Sequence, residues 1–117
     1  MLLLEILAIL KEGFLGNEAV IQSQILIWLK LNNFFVWRNH TQGIRIKGGL
    51  YVQNPNVGAP DVMAVKHGMF FGIEVKAGRV GRLAPEQKEW LEKLVAHGGI
   101  AIVARSLEDV IEKLGHV

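Results

Sequence analysis

The chain has 117 residues, half of them hydrophobic, with no cysteine and a formal net charge of +2 at pH 7. That apolar share suffices for one packed domain and excludes a disordered, solvating chain. The lack of cysteine excludes disulfides and thiolate metal sites and fits a reducing cytosol.

Residues 2–12 carry leucine and isoleucine on nearly every side, so a helix there would be apolar all round and would need cover from its own core or another subunit. The segment is too short to span a bilayer and holds Glu5, with no basic start and no small-residue cleavage pattern, so neither a membrane span nor a signal peptide is expected. Gly13 and Gly16 break the pattern. Asn17 then caps a helix expected from Glu18 to about Leu31, with Val20, Ile21, Ile25, Trp28 and Leu29 at helical spacing.

Phe34 to Arg38 reads as a buried strand. Residues 39–59 are rich in glycine and asparagine, with Ile44–Lys47 and Leu50–Val52 as short extended pieces of a loop or hairpin. Two apolar runs, VMAV and MFFGIEV, flank Lys66-His67-Gly68 and predict a β-hairpin. Gly78 to Leu83 is a second loop. Pro85 opens a helix to about His97, with Trp90, Leu91, Leu94 and Val95 inward and Glu89–Lys93 paired on its outer side. Ile100–Ala104 is wholly apolar, as a central strand would be. Ser106 and Asp109 form a capping box for a last helix to Leu114.

The hairpin carries the chemistry. Asp61 opens its first strand, and Glu74 and Lys76 share one face of the second, opposite Ile73 and Val75. Charges in so apolar a strand are costly to bury without partners or a task. Folding the hairpin can bring Asp61 beside Glu74. Two carboxylates suit Mg²⁺ or Mn²⁺, and a nearby lysine can position a water or steady charge on a phosphoryl group. The bland alternative is an exposed hairpin whose Glu74 and Lys76 form a surface ion pair of little value.

Pro60-Asp61, twelve residues, then Glu74-Val75-Lys76 resembles the signature of the PD-(D/E)xK nuclease superfamily. Gly58-x-Pro60-Asp61, Gly72-Ile73-Glu74-Val75-Lys76, Gly81-Arg82-Leu83-x-Pro85-x-Gln87-x-x-Trp90 and Gly98 resemble its virus-type replication-repair (VRR-NUC) branch. The likeness covers about residues 17–110, with 1–16 as an added apolar helix and dimer-contact candidate. It implies an α/β fold: a restriction-endonuclease-like core in αβββαβ order, a mixed four-stranded sheet flanked by helices.

By the same resemblance, Glu18, on the first core helix, joins Asp61 and Glu74 as a metal ligand, and the Val75 carbonyl is a further one. Lys76 would hold the attacking water and the scissile phosphate, and Gln87 would touch the lysine or the water. Glu18, Asp61, Glu74, Lys76 and Gln87 are thus the catalytic candidates. Gln22, one turn after Glu18, is a weaker candidate for a hydrogen bond to a ligand or phosphate. Small proteins of this kind resemble phage and bacterial enzymes that act inside the cell on branched DNA such as four-way junctions. They imply a homodimer and a role in DNA repair, alone or with a helicase or repair partner.

Charge placement agrees with a phosphate-facing surface. Between Ala19 and Pro85 the only acids are Asp61 and Glu74, against Lys30, Arg38, Arg45, Lys47, Lys66, Lys76, Arg79 and Arg82. Arg38, Arg45, Lys47, Tyr51, Arg79 and Arg82 are the candidate nucleic-acid contacts. No histidine has zinc-ligand spacing. A catalytically silent nucleic-acid-binding module, or a nuclease subunit that needs a partner, is the competing reading.

Overall fold

The computed structural model describes residues 17–39, 44–52, 57–78 and 81–117, the side chains of Ile44 and Arg45 excepted. The apolar segment at residues 2–12, His40 and Arg79 lie outside the described residues, as does the Arg45 side chain.

Helix α1 spans Glu18–Leu31. Asn17 Oδ1 accepts the Val20 N–H at 2.8 Å, the cap its side chain predicts. Ile21, Ile25 and Leu29 recur every fourth residue and are buried. Asn33 ends the helix in the left-handed region, at φ 65, where asparagine is tolerated. Strand β1 (Phe35–Arg38) follows, then a small separate hairpin of β2 (Ile44–Arg45) and β3 (Tyr51–Val52). Next come β4 (Val62–Lys66), β5 (Met69–Val75), α2 (Pro85–Ala96), β6 (Ile100–Ala104) and α3 (Leu107–Leu114).

The main sheet has four strands in the order β1-β4-β5-β6. β1, β4 and β5 form an antiparallel meander, and β6 lies parallel to β5, reached across α2. Lys66 pairs with Met69, leaving His67 and Gly68 as a two-residue turn with φ of 52 and 77. Paired positive φ values match the right-handed twist of the strands. The result is a mixed α/β fold, a four-stranded sheet flanked by three helices.

One face of the sheet carries the core. Val62, Ala64, Phe71, Ile73, Val75, Ile102 and Ala104 meet Ile21, Ile25 and Leu29 of α1 and Leu107, Val110 and Leu114 of α3. α2 packs on the other face, where Gly72 lets it approach. A Cβ on Gly72 would stand 2.7 Å from Leu94 Cδ2 and 2.9 Å from Pro60 Cγ. Gly72→Ala is therefore expected to push α2 off β5. A loss of about 1–3 kcal/mol, read as a lower midpoint in urea unfolding, is the anticipated outcome. An unchanged midpoint would show that Leu94 simply turns aside.

Three expectations need correction. β1 is not buried; it is an edge strand, and Phe35 is 70% exposed. β6 is not central. It forms the opposite edge, and its apolar sequence reflects helices over both faces instead of a second strand partner. On α2, Leu91 is buried but Val95 points outward at 55% exposure, because the helix rests on the sheet along a narrow line. The Glu89–Lys93 pair forms, at 3.1 Å on an exposed surface. Among the described residues, no helix is long and apolar enough to cross a membrane.

Candidate functional site

Val62 pairs with Ile73 across β4 and β5, so the next rung sets Asp61 opposite Glu74. Asp61 lies just before β4, and two contacts from one residue hold this corner. The Asn39 backbone N–H donates to the Asp61 carbonyl at 3.0 Å, and its side-chain amide donates to the Pro60 carbonyl at 2.8 Å. Asp61 Oδ2 in turn accepts the Val75 N–H at 2.7 Å, which aims the carboxylate at the end of β5.

Alternation along β5 drives Ile73 and Val75 into the core and turns Glu74 to the α2 face. Glu74 is only 2% exposed, so the surface-ion-pair alternative does not hold. Its Oε1 accepts from Gln87 Nε2 at 2.9 Å and lies 3.7 Å from Lys76 Nζ. Its Oε2 is buried and accepts no hydrogen bond. Burial pushes the Glu74 carboxyl up to about 8; the adjacent Asp61 carboxylate adds to the rise, and Lys76 partly opposes it. Two close carboxylates with one orphaned buried oxygen call for a shared proton or a cation.

Gln87 sits in the first turn of α2, after Pro85. Its Oε1 accepts the Ala84 N–H at 2.8 Å, which leaves the amide nitrogen to donate to Glu74. The glutamine thus steadies Glu74, whose Oε1 also neighbours Lys76. Lys76 extends the parallel pairing, its N–H reaching the Ala104 carbonyl at 2.9 Å, while its ammonium turns back to Glu74.

Glu18 reaches the same strand end from α1, its Oε1 accepting the Ala77 N–H at 3.3 Å. Among the described residues, no three His, Cys, Asp or Glu side chains gather into a group that could hold a metal ion. What the fold brings together is the Asp61–Glu74 pair, with Glu18 nearby but turned to the backbone.

The basic candidates divide. Lys47, Tyr51 and Arg82 are exposed, and Arg38, also exposed, donates to Ser23 Oγ at 3.0 Å. Lys66 does not belong to a phosphate-facing surface. Its ammonium donates to the carbonyls of Asn32 at 2.7 Å and Val117 at 2.9 Å, and it lies 4.8 Å from the Phe34 ring centre. Arg105, which no motif marked, grips the loop after β5 through the carbonyls of Gly78 at 2.5 Å and Gly81 at 2.7 Å. Asn39 was missed as well. Both act on carbonyls distant in sequence, and no local spacing records that.

Compared with known proteins, the chain matches no family model, and no curated protein matches it.

Proposed function

We propose that the chain is a metal-dependent DNA endonuclease with a restriction-endonuclease-like core of the VRR-NUC kind. The observation that carries the reading is the buried Glu74 carboxyl set against Asp61, its Oε2 accepting no hydrogen bond. The charged form of Glu74 is disfavoured there, and a hard divalent cation would take the place of the proton and satisfy both side chains at once. Asp61 and Glu74 would hold Mg²⁺ or Mn²⁺, with Glu18 and the Val75 carbonyl as the remaining candidate ligands. Bound there, the ion would supply an activated water and charge neutralisation for in-line attack on a phosphodiester.

The protein's own groups have separable tasks. Gln87 fixes the rotamer of Glu74, and the Val75 N–H fixes Asp61. Lys76, 14% exposed at the side chain, offers its ammonium to a scissile phosphate and to the water that attacks it. Arg38, Arg45, Lys47, Tyr51, Arg79 and Arg82 are the proposed DNA contacts. A structure-selective action on branched DNA such as four-way junctions, by a two-fold pair of chains, is part of the proposal.

The test is cleavage of labelled four-way junction, splayed and plain duplex DNA with Mg²⁺, Mn²⁺ or EDTA, beside Glu74→Ala. Metal-dependent products absent in the variant support the enzyme, and their ranking reports the preferred structure. DNA binding without products under either metal would overturn it in favour of a silent binding module or a subunit that cuts only with a partner.

A further inference from the structure

Among the described residues, the α2 face of the sheet is covered only in part. Leu94 lies over Gly72, and Gln87 over Glu74, so α2 shields the β5–β6 half. Toward β1 the same face carries Phe35, Trp37 and Phe70. Pairing places them together: Phe35 opposes Val65, which opposes Phe70, and Trp37 opposes Met63, which opposes Gly72. The rings form one row. Phe35 and Trp37 centroids are 5.3 Å apart with planes tilted by 46°, and Trp37 meets Phe70 edge-on at 5.9 Å. Phe35 is 70% and Phe70 41% exposed. Three adjoining rings on an open strand surface are far more aromatic area than solvent contact alone explains.

The row is continuous with the carboxylate site. Gly72 and Glu74 share its face, and Trp37 is two residues from Asn39, which holds Pro60 and Asp61. Two strand spacings and one two-residue step separate Trp37 from Glu74, roughly 12 Å. A few nucleotides cover that span. Between Ala19 and Pro85 only Asp61 and Glu74 are acidic, against seven lysines and arginines besides the committed Lys66, so no other carboxylate of this segment repels a phosphate backbone.

We infer that Phe35, Trp37 and Phe70 form a stacking platform for unpaired nucleobases, leading a single strand toward Asp61 and Glu74. Resting on the nuclease reading, this narrows its substrate: among branched DNAs, one with an unpaired arm, such as a splayed duplex, is cut beside that arm in preference to a fully paired four-way junction. Aromatic faces take any base and cannot reach bases stacked inside a duplex, so the platform selects structure and not sequence.

The experiment measures binding apart from cleavage. In EDTA, a fluorescent twelve-nucleotide oligothymidine and a twelve-base-pair blunt duplex are titrated with the full chain, Phe35→Ala and Phe70→Ala by anisotropy. Both replaced rings are exposed, and thermal melts confirm that the variants fold. The expected result is tighter binding of the single strand, weakened about 5- to 100-fold by each substitution, with little change for the duplex. Equal affinity of all three proteins for the single strand would overturn the platform, even if metal-dependent cleavage is intact. Sedimentation showing that Phe35→Ala dissolves a dimer, with oligothymidine binding unchanged, would assign the face to a second copy instead. Ring-dependent binding without cleavage by any metal would keep the platform and sink the nuclease.

Discussion

Glu74→Gln is expected to abolish the proposed metal-dependent cleavage, by at least about a hundredfold, and yet to make the metal-free protein more stable at pH 8. The two effects share one cause. Glu74 is buried against Asp61, and its carboxyl is pushed up to about 8 from 4.5. Because the folded value is the higher one, the folded state binds the proton more tightly. The resulting stability is complete below about pH 4.5 and drains away as pH rises through about 8. A glutamine carries no charge, can still accept from Gln87, and can donate to Asp61. In chelator, the wild-type melting temperature should fall between pH 5 and 8, and the Gln variant should lie about 5–10 °C above it at pH 8. Adding Mn²⁺ at pH 8 should raise the wild type and leave the variant unmoved. Parallel pH profiles for the two proteins would show that Glu74 is not the strained group.

Phe71→Ala should be the most damaging single truncation. Phe71 is fully buried on β5, its ring meets Phe34 edge-on at 5.6 Å, and it shares the core with Ile21, Ile25 and Leu29 of α1. Removing it opens a cavity between helix and sheet at about 3–5 kcal/mol, a large part of the 5–15 kcal/mol that holds a domain of this size. Chemical denaturation should show a midpoint sharply lowered with the slope retained. A shift below about 1 kcal/mol would mean that Phe34 and Trp28 collapse into the space.

Local features were readable because their causes are local. The Asn17 cap, the two-residue turn at His67–Gly68, the Ser106 cap and the opposite facing of Glu74 and Val75 each follow from residues within a few positions of one another. The sheet order was not readable at its edges. Hydrophobic pattern reports whether the faces of a strand are covered, and β6 has α2 and α3 over its faces while its outer side lacks a strand among the described residues. Phe35 erred in the other direction: an aromatic, branched run resembles a core strand, although half of it looks outward. At the site, Asp61, Glu74 and Lys76 were placed together by hairpin register alone. The work of Asn39, Lys66 and Arg105 was hidden because a side chain's choice of a distant carbonyl leaves no periodic trace.

The edge position of β6 bears on solubility. Ile100–Ala104 presents five uncharged residues, free of proline and glycine and rich in β-branched side chains, along a border that no other strand among the described residues covers. Such a border lacks the lysine, proline or bulge that usually discourages strand-to-strand adhesion. Arg105 stands where a gatekeeper charge would, but its guanidinium is committed to the carbonyls of Gly78 and Gly81. In concentrated solution, this border is the expected place for one chain to adhere to another.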